Sequence, residues 1–211
     1  MSGVLSSEWC ALVEWAAAKA SLVLAPAQID QLRAYLDTLL LWNRKLALVS
    51  QRDPEQILTK HFADSLFAAS HCSDGEAVVD LGSGAGFPGL PIAVSRPASP
   101  VCLIESRGRK VSFLEEACRA ASIRNTTVRN ARIETVAAEP AHHQRYAVAT
   151  ARALARTDRL LALARPLLAP GGRAIAMRSV GEALDGDPPG AEEIRYELPD
   201  GTPRRLLIVR L

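Results

Sequence analysis

One stretch constrains this chain more than any other: Val79-Asp80-Leu81-Gly82-Ser83-Gly84-Ala85-Gly86-Phe87-Pro88-Gly89. A short apolar run ends in an acid and passes at once into a turn with glycine at alternate positions. Glycine admits positive φ and lets backbone approach a ligand that a Cβ would displace. A helix starting beyond the turn is expected to present free N–H groups and the positive end of its dipole. Open α/β sheets bind ligands at the carboxyl ends of their strands, so this turn is the expected binding loop.

The rest of the chain fits such a sheet. Residues 77–80, 101–105, 127–128, 146–150 and 173–177 read as strands. Between them lie helical stripes. One opens with Pro88 at its first position, and one carries Val111, Leu114, Ala117, Cys118 and Ala121. Another carries Leu160, Leu161, Leu163, Ala164, Leu167 and Leu168 and closes at Pro170-Gly171-Gly172. Strands alternating with helices predict a mainly parallel sheet covered on both faces. Residues 194–198 and 206–211 flank the turn Asp200-Gly201-Thr202-Pro203, so the sheet is expected to finish in an antiparallel hairpin. Residues 181–190, rich in Gly, Asp and Pro, read as a mobile surface loop.

The first seventy residues differ in kind. Residues 8–24 carry apolar side chains at near-helical spacing after the N-cap candidates Ser6 and Ser7. Pro26 opens a second helix with Ile29, Leu32, Leu36, Leu39, Leu40 and Leu46 along one face. Asp53-Pro54 caps a short helix running toward His61. The expected organisation is a helical cap over 1–73 and an α/β core over 74–211.

Composition narrows the function. No stretch reaches the roughly 20 apolar residues needed to cross a bilayer, and Glu14 and Lys19 interrupt the first apolar segment. The reading is a cytoplasmic protein with no membrane partner and no obligate protein partner. Cys10, Cys72, Cys102 and Cys118 are widely spaced without a C-x-x-C pair, and the four histidines lack ligand spacing, so no metal site is assigned. Residues 101–181 hold 14 Lys+Arg against 6 Asp+Glu, whereas each flank is acidic by 3. A basic middle suggests a polyanionic partner; arginine outnumbering lysine 21 to 4 equally fits a bias of composition.

Two cofactors fit the loop. Gly84-x-Gly86-x-x-Gly89 satisfies the dinucleotide fingerprint, with Glu105 near the place of its ribose acid. The frame Asp80-x-Gly82-x-Gly84-x-Gly86 instead suits S-adenosylmethionine, with Asp80 toward the ammonium and Glu105 accepting both ribose hydroxyls. The second frame uses the whole loop from the strand end. It also agrees with the terminal hairpin and with the lack of a second domain for a hydride acceptor.

Several segments together resemble the bacterial 16S rRNA guanine-N7 methyltransferases, the glucose-inhibited division protein B family. They are Leu41-Trp42-Asn43-Arg44-Lys45, Arg52-Asp53-Pro54, His61-x-x-Asp64-Ser65-Leu66, the glycine loop continued through Leu90-Pro91, Arg107-Gly108-Arg109-Lys110, and Ala151-Arg152-Ala153. The resemblance implies a class I S-adenosylmethionine methyltransferase fold, Rossmann-like, with a helical N-terminal extension. It implies methylation of N7 of one guanine in small-subunit ribosomal RNA, free or in the 30S subunit. Cofactor contacts are expected at Asp80, Gly82, Gly84, Gly86, Phe87, Glu105, Ile133, Glu134 and Arg152, and RNA contacts at Arg107, Arg109, Lys110 and Arg178. No catalytic base is assigned, because guanine N7 carries a lone pair and no proton. A capping or core role stands beside a functional one for His61 and Asp64. The chain departs from the family at Ala47-Leu48-Val49, Ala147 and Arg178-Ser179, which bears on the RNA side of the site. The competing readings are an NAD-dependent oxidoreductase, a methyltransferase for a small molecule or protein, and a noncatalytic RNA-binding factor.

Overall fold

The computed structural model describes residues 5–50, 53–152, 156–180, 188 and 190–211. The expected loop over 181–190 lies almost wholly outside them, as do Arg52 and Ala153.

Four strands form the parallel centre: β1 (Val78–Leu81), β2 (Val101–Glu105), β3 (Thr126–Asn130) and β4 (Tyr146–Arg152). β5 (Leu168–Ser179) adds to β4 in parallel. β6 (Glu192–Glu197) and β7 (Pro203–Arg210) then return antiparallel, giving the order β3-β2-β1-β4-β5-β7-β6. β1 is buried at all four positions, as a strand covered on both faces must be. The edge strand β6 instead exposes Glu192, Glu193, Arg195 and Glu197, charges that discourage edge-to-edge pairing. Chain order reverses between β1 and β4, so the carboxyl ends of these two strands flank the crevice where such sheets bind ligands.

Alternating side chains of the sheet build two cores. Val79, Leu81, Ile104 and Ala149 face helices α7 (Ile133–Ala138) and α8 (Thr157–Ala164). Val78, Leu103, Ile175 and Ile208 face the other way, toward α5 (Gly89–Ser95) and α6 (Gly108–Ala120). That second cluster runs without a break into α1 (Leu5–Lys19), α2 (Pro26–Leu46) and α4 (Asp64–Ser70), through Val13, Leu32, Leu36, Leu39 and Leu66. The helical extension therefore lies against the same face as α5 and α6, within one continuous core.

Some boundaries differ from the sequence reading. Ser6 and Ser7 fall inside α1. Pro88 is the residue before α5 rather than its first. Leu167 lies in the turn after α8 and Leu168 opens β5, because Leu168 pairs with Tyr146 of β4 and α8 stops at Ala164. Asp53 does cap α3 (Pro54–Ile57), accepting the Glu55 amide at 3.1 Å. That helix does not stop near His61. It widens into a π-turn over Leu58–Ala63 and continues as α4.

Candidate functional site

The glycine loop leaves β1 with Gly82, Gly84 and Gly86 at φ of 74, 58 and 94°, the left-handed region that side chains resist. Gly86 and Gly89 also meet steric walls. A Cβ at Gly86 would fall 2.6 Å from Leu90 Cδ1, and one at Gly89 2.3 Å from Leu103 Cδ2. Tyr35 of α2, fully buried among Phe62, Phe87 and Phe113, donates its hydroxyl to the Ala85 carbonyl. The helical extension thus grips the loop directly.

Four of the loop's amides are already committed. Gly82 and Ser83 donate to the Ile104 carbonyl at 2.9 and 3.0 Å, Gly84 to Glu105 Oε2 at 3.0 Å, and Gly86 to the Ser83 carbonyl at 2.7 Å. At the start of α5, Gly89 donates to Asp80 Oδ2 at 3.3 Å and Leu90 to the Gly86 carbonyl at 2.8 Å, while Pro88 and Pro91 have no N–H. The expectation of free donors at this helix start is therefore corrected. A dinucleotide pyrophosphate depends on such donors, so the geometry disfavours that cofactor. A nucleoside ligand without phosphate fits.

Two carboxylates organise the site. Asp80, 1% exposed, accepts Thr150 Oγ1 at 2.9 Å on Oδ1 and the Gly89 amide on Oδ2. Burial pushes its carboxyl up to about 6, against the pull of Thr150 and Gly89. Glu105 at the tip of β2 accepts Gly84 N on one oxygen and Arg107 N, at 2.8 Å, on the other. A carboxylate offers about four lone-pair sites, so each oxygen keeps capacity for one hydroxyl of a vicinal diol.

Phe87, 6% exposed, is the aromatic centre of the neighbouring wall. His61 stacks on it with centroids 5.1 Å apart, and the Arg152 guanidinium lies 5.9 Å from its centroid. Burial, then the charge of Arg152, lowers His61 to about 3, so it is neutral near pH 7 and is no proton donor there. Arg152, ending β4, donates from Nη2 to the Lys60 carbonyl at 2.8 Å and stands 3.4 Å from Asp64 Oδ2. Its Nη1 is buried and makes no hydrogen bond among the described residues. Asp64, fully buried, also accepts Arg204 at 3.1 and 2.8 Å and the Tyr196 hydroxyl.

Ile133 and Glu134 open α7 next to the end of β3, Ile133 half-buried and Glu134 exposed 3.5 Å from Arg159. Arg107 and Arg109 are exposed at the start of α6. Lys110 reaches back to the loop, where its Nζ would be 3.7 Å from a Cβ at Gly84. Arg178 is not brought to these three. It is 6% exposed on β5, three strands away from β2, where the sequence reading had expected a surface contact. Asn43 of the tryptophan segment closes the turn after α2 by accepting the Val49 amide at 2.9 Å. Tyr35, Thr150, Tyr196 and Arg204 reach the site unannounced, since only a long-range fold brings them there.

A mainly parallel seven-stranded sheet with this order, a glycine loop after β1 and an acid at the tip of β2 has the class I methyltransferase fold. The same fold is seen in a solved SAM-dependent methyltransferase from Aquifex aeolicus, with TM-score 0.56 and 15% identity over 75% of this chain and 93% of that one. The sequence matches the family described as rRNA small subunit methyltransferase G over residues 28–185. A ribosomal RNA small subunit methyltransferase G from Roseiflexus castenholzii is 40% identical over 161 residues, 76% of this chain and 68% of the relative. The Bacillus subtilis protein of the same name is 34% identical over 164 residues, 77% and 69% respectively. The matches span about two thirds of the length of these relatives. The chain belongs to the rRNA small subunit methyltransferase G family.

Proposed function

We propose that the chain binds S-adenosylmethionine at the glycine loop and methylates N7 of one guanine in small-subunit ribosomal RNA in the cytoplasm. The observation that carries this reading is the Glu105 carboxylate. It is tied to the loop by Gly84 and to the entry of α6 by Arg107, with lone pairs left for a ribose diol, beside a helix start whose amides are already engaged. Ile133 and Glu134, which open α7 beyond the end of β3, are read as the contacts for an adenine ring and its edge. Arg152 Nη1 is the donor for an anionic end of the ligand.

Bound S-adenosylmethionine supplies a methyl group on a cationic sulfur. Guanine N7 needs no deprotonation, so the chain's contribution is orientation and exclusion of water, worth roughly 7–11 kcal/mol in favourable cases. The neutral His61, and Asp64 engaged by Arg204 and Tyr196, agree with a site that moves no proton. Arg107 and Arg109, exposed at the start of α6, are the cations this reading assigns to RNA phosphates.

The test is transfer of labelled methyl from S-adenosylmethionine to small subunits and to naked ribosomal RNA, both lacking the modification. N7-methylguanine at one site is the expected product, and the better acceptor identifies the substrate form. Tight cofactor binding with no transfer to either would move the substrate outside small-subunit RNA.

A further inference from the structure

The cluster around Asp64 has a charge count that folding alone does not explain. One fully buried carboxylate faces two guanidinium groups, Arg152 and Arg204, leaving one surplus positive charge. A buried ion pair contributes little to stability once desolvation is counted, and an uncompensated charge is costly. A purely structural Asp64 would need one arginine.

The two arginines are held differently. Arg204 takes Asp64 as a fork, Nε on Oδ1 and Nη2 on Oδ2, and its third nitrogen donates to Ser179 Oγ at 2.6 Å. Tyr196, stacked on Phe67 with centroids 4.3 Å apart, donates to Asp64 Oδ1. The carboxylate is thus fixed from the terminal hairpin. Arg152 meets it only through Nη2 at 3.4 Å and shares that nitrogen with the Lys60 carbonyl, presented by the π-turn over Leu58–Ala63. π-turns inside helices often mark functional positions. One side of the Arg152 fork is anchored, and Nη1 stays buried without a hydrogen bond among the described residues.

We propose that Asp64, Arg204 and Tyr196 are positioning residues that hold Arg152 so that Nη1 faces the ligand. The terminal β6–β7 hairpin then contributes to the site through Asp64 and Arg152. The inference rests on the reading of Arg152 as a cofactor contact.

The test is a double-mutant cycle on cofactor affinity, measured by calorimetry with S-adenosylmethionine and S-adenosylhomocysteine. Arg204→Lys keeps the charge and loses the fork; Tyr196→Phe removes one hydroxyl and serves if the first variant folds poorly. Either is expected to weaken binding about tenfold in the otherwise unchanged chain and by less than about twofold in an Arg152→Ala background. Equal losses in both backgrounds would overturn the proposal, because a general structural defect does not depend on Arg152. A crystal structure of ligand-free Arg204→Lys gives a second readout. Arg152 is expected to leave the Lys60 carbonyl, and an unmoved guanidinium overturns the proposal. Should the unaltered chain bind no cofactor, the functional reading falls, while this structure still judges the positioning.

Discussion

The Gly84 amide donates to Glu105 Oε2 at 3.0 Å, so the middle of the glycine loop hangs on the acid that ends the neighbouring strand. Glu105 Oε1 meanwhile accepts Arg107 N at 2.8 Å and so orders the entry to α6. One side chain therefore fixes the loop, the helix start and the proposed ribose position together, which ties cofactor affinity to local stability.

Glu105→Gln should weaken both. The side-chain amide keeps one acceptor oxygen, and its NH2 must face the N–H of Gly84 or of Arg107. A buried donor left unsatisfied costs about 1–3 kcal/mol. Calorimetry should show cofactor affinity reduced by about tenfold or more, and urea denaturation a lower midpoint. Unchanged affinity would detach the ribose from Glu105.

Tyr35→Phe removes the hydroxyl that satisfies the Ala85 carbonyl and leaves the aromatic cluster of Phe62, Phe87 and Phe113 in place. Stability should fall by about 1–3 kcal/mol, with the denaturant slope unchanged and cofactor binding weakened as the loop loosens. A variant as stable as the parent would show that α2 does not hold the loop.

Gly89→Ala sets two effects against each other. Alanine gains about 1 kcal/mol of helix propensity over glycine, but its Cβ would lie 2.3 Å from Leu103 Cδ2 and 2.7 Å from Asp80 Oδ2. Overpacking of this kind costs about 1–3 kcal/mol, and Asp80 is itself pinned by Thr150. Net destabilisation is expected in thermal melts, and a raised Tm would mean the strand and loop yield easily.

Asp80 should titrate near 6 instead of its usual 3.8 because burial disfavours its charged form. Between those values the folded state holds the proton and the unfolded state does not. This group's contribution to stability is therefore full below 3.8 and declines as pH rises toward 6. An ammonium placed beside it favours the carboxylate, so S-adenosylhomocysteine should lower the midpoint in a carboxyl-carbon NMR titration. An unmoved midpoint would argue that Asp80 only supports the loop.

RNA affinity should fall steeply with salt, since phosphate contacts release counterions. Arg107→Ala and Arg109→Ala should each reduce the slope of log K against log salt by about 1, whereas the buried Arg178 should not act as an independent phosphate contact. Filter binding across a salt series measures all three. A slope unaffected by Arg107 and Arg109 would place the RNA on another face.

Local signals carried far along this chain. The apolar run into Asp80 and the alternating glycines foretold β1 and its turn, where the structure gives the three glycines positive φ, because the stereochemistry of glycine is set within a few bonds. Residues 101–105 were legible as a strand for a similar reason, a short apolar run closed by an acid. The end of α8 was not legible: Leu160 to Leu168 continue a helical stripe, yet Leu168 goes to the ladder beside Tyr146, a choice made by the neighbouring strand.

What the sequence determined by itself is therefore the sheet class, the loop and the acid of β2, all of which rest on short-range pattern. The tertiary structure alone decided the rest. It gathered Arg152 and Arg204 around the Asp64 carboxylate, up to 140 positions away, and it committed the amides at the start of α5 that had been expected free. It also buried Arg178. Buried polar groups must find partners wherever the fold brings them, and no local pattern records which distant side chain will be there.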